Sequence, residues 1–136
     1  MQIWTSTIDY QGVDRLDITV KSGEDTFAPT WAMVTDYHRG KLDWPVYTTM
    51  YTETMRLSWK YRCARWDEVL AMSSVTLCCY CKPTECCHRF LLVQMLLKAA
   101  KAAGIQAEYH GECGDELVQT ARAMGGKIIM GGDDNE

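Results

Sequence analysis

The sequence predicts an α/β domain: a small Rossmann-like three-layer fold with a mainly parallel central sheet. Three observations lead there. The chain opens on a β-branched run, Gln2-Ile3-Trp4-Thr5-Ser6-Thr7-Ile8. A second apolar run from Val75 to Cys79 is followed by a proline-containing loop and a strongly apolar helical pattern. A further strand-like run then returns at Ile105-Gln106-Ala107-Glu108-Tyr109-His110, which makes residues 75 to 110 a βαβ unit.

Each element has its own local reason. The opening run stops near Gly12, as a strand would, and places Thr5-Ser6-Thr7 at its carboxyl end. Leu16-Asp17-Ile18-Thr19-Val20 alternates apolar and polar residues before the loop-like Ser22-Gly23-Glu24-Asp25. Thr30 is a suitable N-cap for a short helix from Trp31 to Arg39, closed by Gly40, with Trp31, Val34 and Tyr37 sharing one face. Pro45 suits the first turn of the next helix, whose stripe of Tyr47, Met50, Tyr51, Met55 and Leu57 reads as core. Trp66, Val69, Leu70 and Met72 outline another short helix that ends at Ser73-Ser74. From Cys87 to Ala103 the residues Phe90, Leu91, Val93, Leu96, Leu97 and Ala100 define a helix stopped by Gly104. Leu117 to Met124 suggests a terminal helix of the single domain spanning 1–124, and the glycines and acidic residues of 125–136 suggest a loose tail.

Composition narrows the function. At 136 residues the chain suffices for one domain with its own core. No run approaches the roughly 18 uninterrupted apolar residues that span a bilayer, so a soluble protein without membrane association is expected. The net charge of −4 argues against bulk nucleic-acid binding, which rests on a basic surface that neutralises phosphates. Met1-Gln2-Ile3-Trp4 lacks the features of a secretory leader, so the cytoplasm is the expected compartment. Seven cysteines, an odd number, then read as thiols or ligands rather than a disulfide framework.

The chemistry concentrates between Val75 and Arg89, where five of the seven cysteines fall beside His88 and Arg89. A strand, a loop and a helix start in that order put backbone N–H groups and side chains at the carboxyl edge of a sheet. Cys87 at the start of a helix would find its thiolate favoured by the helix dipole and by Arg89. His88 could act as base or donor, although neighbouring helical residues point about 100° apart. Arg89 offers a planar fork for phosphate or carboxylate. The alternative is structural: Cys87 packed as a small apolar residue, His88 bonded to backbone, and Arg89 paired with Glu85 or Glu112. A zinc site built from Cys78, Cys81, Cys86, Cys87 and His88 competes with both. Against it, residues 78 and 79 of a strand point to opposite faces, and no second C-x-x-C pair stands at zinc-ribbon spacing. Cys78 and Cys79 are therefore expected to be strand core, one on each face.

At these residues the chain resembles the family catalogued as domain of unknown function 488, whose members carry Leu-Cys-Tyr-Glu-Lys-Pro at a strand end and Cys-His-Arg at a helix start. Here the segment reads Leu77-Cys78-Cys79-Tyr80-Cys81-Lys82-Pro83, then Cys87-His88-Arg89-Phe90-Leu91-Leu92. Weaker likeness extends to Leu16-Asp17-Ile18-Thr19, Ala28-Pro29-Thr30-Trp31, the Tyr47 and Tyr51 helix, and Tyr109-His110-Gly111-Glu112. Cys81 stands where relatives often have an acidic residue, which Glu85 could replace.

The leading expectation is a site for a phosphate-bearing, nucleotide-like small molecule at the Cys-His-Arg corner, in a protein that sequesters a nucleotide signal and can assemble as a homo-oligomer. Arg89, Cys87, His88, Thr5, Ser6, Asp17 and Lys82 would hold the ligand, with Trp4, Trp31 or Tyr80 stacking the base. One alternative is an enzyme in which Cys87 and His88 act on a phosphate or glycosidic bond of a nucleotide. The other is a zinc-stabilised interaction module; apart from that zinc, no cofactor is expected.

Overall fold

In the computed structural model, which describes residues 1–81 and 86–113, the chain runs β1 (Gln2–Thr7), β2 (Arg15–Asp17), α1 (Trp31–His38), α2 (Trp44–Tyr61), α3 (Cys63–Leu70), β3 (Ser74–Cys79), α4 (His88–Ala102) and β4 (Glu108–Glu112). The strands form one sheet in the order β2-β3-β1-β4, and every neighbouring pair is parallel. The result is a small Rossmann-like α/β domain. All four strand ends therefore emerge on one edge, where connecting loops meet helix starts. The expected terminal helix from Leu117 to Met124 and the 125–136 tail lie outside the described residues.

The strand faces sort the core into two parts. Ile3, Leu16, Val75 and Leu77 pack with Tyr51 and Met55 of α2, Val69 of α3, and Leu92, Val93 and Leu96 of α4. Each fully buried leucine or valine there contributes roughly 1.5–3 kcal/mol through removal from water. Alternate residues Trp4 and Cys78 face the other way, against Tyr10 and Cys113. Period-two side-chain alternation thus sends Cys78 and Cys79 to opposite sides of β3.

Capping follows the sequence closely. Thr30 accepts a hydrogen bond from Met33 N, and Asp43 accepts one from Val46 N just before Pro45. Gly104, at φ 75°, closes α4 with Ile105 N donating to Ala100 O at 2.8 Å and its own N–H donating to Lys101 O at 3.1 Å. Ile105 is consumed by that cap, so the last strand begins at Glu108 rather than at Ile105. In β4 the register against β1 jumps between Ile3↔Tyr109 and Trp4↔Gly111, leaving His110 as a bulge residue stacked on Trp4 at 5.1 Å.

Two further departures have local causes. β2 ends at Asp17 because its carboxylate accepts bonds from both the N–H and the hydroxyl of Thr19, bending the chain out of the sheet. Gly23 closes this turn so tightly that a Cβ there would sit 2.3 Å from Asp17 O. On α2 the buried positions are Tyr47, Tyr51, Met55 and Ser58, whereas Met50 and Leu57, expected in the core, are exposed on its flank.

Candidate functional site

A cavity of about 350 Å³ opens at the carboxyl ends of β2 and β3. The loop after β2 supplies Thr19, Val20 and Lys21; α1 supplies Trp31, Val34 and Tyr37, the face anticipated from their three-residue spacing. Trp44 and Tyr47 enter from the start of α2, and Tyr80 from the end of β3. The rings brace each other: Trp44 stacks on Tyr47 at 5.3 Å, and Tyr37 lies 5.2 Å from Tyr47. Lys21 places its ammonium 5.3 Å from the centre of the Tyr80 ring, which brings a cation to the aromatic walls of the mouth.

The floor is sulfur. Cys79, the last residue of β3, Cys81 and Cys87, the N-cap of α4, bring their Sγ atoms within 4.8 Å of one another. Cys87 Sγ donates to Cys79 Sγ at 3.1 Å. Hydrogen bonds from Cys81 and Cys87 hold the Cys79 thiol well below its ordinary pKa, against the opposing effect of burial. The same sharing pushes its partners up: Cys81, bonded to Cys79, to about 11, and Cys87, bonded to Cys79 and Cys81 and buried, well above the usual thiol range. Ionisation of one thiol of the trio therefore opposes ionisation of the other two. Burial beside these sulfurs also raises the Tyr47 phenol, so it stays protonated and able to donate.

His88 is buried and fixed. Its Nε2 donates to Ile18 O at 2.7 Å, so in the neutral ring Nδ1 has the lone pair and faces Cys87 Sγ at 3.8 Å. Tyr51 packs edge-on to the imidazole at 5.3 Å and donates to Phe27 O, locking both rings.

Arg89 lies behind the floor rather than in the cavity. Its side chain is 0% exposed; Nη1 donates to Cys81 O at 3.0 Å and to Cys87 Sγ at 3.6 Å. Its Nε lies 3.4 Å from Glu112 Oε1. Thr5 donates to that same carboxylate at 2.6 Å and meets the Tyr109 hydroxyl at 2.6 Å. Of the two pairings weighed from the sequence, that with Glu112 is present, and Glu85 lies outside the described residues.

The structure gathers Cys87, His88, Trp31 and Tyr80, with Cys81 and Cys86 of the zinc alternative, around one cavity, and turns Thr5, Ser6, Asp17 and Arg89 to protein partners. Thr5 is committed to Glu112 and Tyr109, and Ser6 donates to Cys113 O at 2.8 Å. Asp17 is turned to Thr19 and Ser22, whose hydroxyl continues to Tyr80 at 2.9 Å. Burial raises the Asp17 pKa, but the Ser22 and Thr19 bonds outweigh it and leave the carboxyl below its ordinary value. Trp4 belongs to the opposite face of the sheet. Lys82 and Glu85 lie outside the described residues.

Among the cysteines of the zinc alternative, Cys81 and Cys87 meet, Cys86 is exposed, and Cys78 is buried on the far face with its thiol pushed up to about 12. Cys79, expected only as core, is buried but turns its sulfur into the cluster. The missed signal was strand phase combined with topology: once α4 covers the Leu77 face, residue 79 on that face must meet the residue capping the helix. Tyr47, read as core, is buried and also walls the cavity, together with Trp44, which was passed over.

A parallel α/β domain with a Cys-His-Arg corner at the carboxyl edge of its sheet defines the class of protein. Residues 1–100 match the family described as the active DUF488-N3 subclade, and the chain belongs to the DUF488 family. Neither a curated protein nor a solved structure matches it.

Proposed function

We propose that the cavity binds a nucleotide-like small molecule, a planar ring joined to an anion. The observation that supports this reading is the enclosure of a 350 Å³ space by the rings of Trp31, Tyr37, Trp44, Tyr47 and Tyr80 with Lys21 at its edge. Aromatic faces hold a flat heterocycle by stacking, and a cavity of this size suits a small ligand. In this reading the anion meets Lys21 and the N-terminal end of α4, while Arg89 supports the floor from behind. Sequestration of a nucleotide signal by a homo-oligomer is the corresponding biological role.

Native mass spectrometry of the purified full chain, with extraction of any retained small molecule, tests both ligand and assembly. Titration with a nucleoside, its monophosphate and diphosphate, and inorganic phosphate then separates ring from anion recognition. Tighter binding of the nucleotide than of either fragment supports the reading; absence of binding and of thermal shift with all four ends it.

A second reading has its own observation. The closest sulfur pair, at 3.1 Å, and the imidazole Nδ1, at 3.8 Å, stand at the base of the same cavity, where a bound nucleotide would present a bond to them. A thiol-dependent enzyme acting on that bond is the proposal, and release of a fragment from a trial nucleotide, lost in Cys87→Ser with binding retained, is its signature.

A further inference from the structure

Three sulfurs converge from two elements and the segment between them. Cys79 ends β3, Cys87 caps α4, and Cys81 follows the strand by two residues. All three Sγ atoms lie within 4.8 Å of one another, with the closest pair at 3.1 Å. Zinc-class ions bind thiolates at about 2.3 Å in tetrahedral geometry, which requires sulfur separations of roughly 3.8 Å, inside the range seen here. Small side-chain rotations would equalise the triangle without moving β3 or α4.

We propose that Cys79, Cys81 and Cys87 form a binding site for one thiophilic divalent cation of the zinc class, held by three thiolates with its fourth position open to the aromatic cavity. The surroundings fit such an ion. Arg89 is fully buried and directs Nη1 at Cys87 Sγ from 3.6 Å, offsetting the single negative charge left when three thiolates meet a dication. His88 is anchored through Nε2 to Ile18 O and walls the side of the cluster 3.8 Å from Cys87 Sγ. Cys81 O accepts from Arg89, fixing the backbone of the third ligand. Three protein ligands and one open position are the pattern of reactive rather than purely structural zinc.

The chemistry balances without a redox partner. Each sulfur–hydrogen bond is exchanged for a sulfur–metal bond, and the proton leaves to solvent. Cys81 completes the set at the position where the resembling motif has an acidic residue, so the soft character of the site belongs to this chain's own sequence. The site would make the ion the reactive element of the floor, in place of a free thiol.

The test uses the full chain, reduced, stripped with a chelator and reloaded with Zn²⁺ or Co²⁺ alone. One equivalent of metal, a thiolate-to-cobalt charge-transfer band and an X-ray absorption shell of three sulfurs at about 2.3 Å are expected. Cys81→Ser, at a half-exposed position, should lower the sulfur count to two and weaken binding at least about tenfold, while Cys63→Ser and Cys86→Ser, at exposed positions, leave both unchanged. A folded Cys81→Ser protein by circular dichroism makes that comparison valid, and the wild-type sulfur count decides independently if it does not fold. Substoichiometric uptake, a shell of oxygen and nitrogen only, or loss of the signal in Cys86→Ser overturns the proposal. So does a Cys79–Cys87 disulfide that persists in reductant and blocks uptake. Nucleotide is absent throughout, so failure of the metal site and failure of the cavity reading are separate results.

Discussion

The sulfur atoms of Cys79 and Cys87 lie 3.1 Å apart because the last residue of β3 and the N-cap of α4 meet at the carboxyl edge of the sheet. This contact joins the strand–loop–helix unit at its open end. It also makes the two thiols a single electrostatic unit, since a charge on one is felt by the other through a few ångströms of low-dielectric interior.

Glu112 neutralises the guanidinium that supports this corner. Glu112→Ala removes a carboxylate from beside the buried Arg89 and is expected to destabilise the protein by about 3 kcal/mol, read as a lower denaturation midpoint. Glu112→Gln retains an acceptor for Thr5 and should lose less. Equal stability of both variants with the parent would show that the ion pair contributes nothing.

Trp31 offers the cleanest probe of the cavity because its ring is 57% exposed. Trp31→Ala is expected to leave stability within about 0.5 kcal/mol of the parent while weakening nucleotide binding about tenfold. Isothermal titration with the nucleotide checks the second effect, and a melting curve the first.

Asp17 introduces a pH dependence of known sign. Its folded pKa lies below the ordinary 3.8, so its contribution to stability is present above that value and disappears as pH falls through the lower folded value. Asp17→Asn should therefore be less stable than the parent at neutral pH, and the two proteins should converge in acid. Urea midpoints measured across that range decide it; a gap that widens in acid contradicts the assignment.

Gly104 has a positive φ of 75°, required by the cap that ends α4. Gly104→Ala meets no neighbouring atom within 4 Å, so its expected cost of about 1–2 kcal/mol is purely conformational. Substitution to Asn, which tolerates this region better, should recover part of the loss in the same denaturation measurement.

Much of this architecture was legible because local signals are strong where one residue type alone satisfies the backbone. Thr30 and Gly104 mark helix ends through hydrogen bonding and φ, and both stand where their residue types suggest, whereas the Asp43 cap ahead of Pro45 shows only in the structure. The parallel βαβ unit was equally readable from apolar periodicity. Legibility failed where the deciding partner is distant in sequence. Asp17 is the strand residue it looks like, yet its turn to Thr19 and Ser22 shows only in the structure, and Tyr47 is core as its stripe suggests but also walls the cavity beside Trp44 and Tyr37. Cys79 is the clearest case: alternation shows that it opposes Cys78, but only the placement of α4 tells which of the two meets Cys87. Arg89 was expected to offer its fork to a ligand anion, yet the fork donates to Cys81 O and Cys87 and meets Glu112 behind the cavity.

The Arg89–Glu112 contact sets a lower bound on any shortened version of the protein. The family match ends at residue 100, before the strand that holds Glu112 and Tyr109. A fragment cut at that point would keep the three clustered sulfurs and the cavity rings, yet remove the Glu112 carboxylate from beside the buried Arg89 and strip one side from β1. The working unit is therefore longer than the matched segment: the outer strand, though distant from the cavity, is the counterweight that keeps the base of α4 in place.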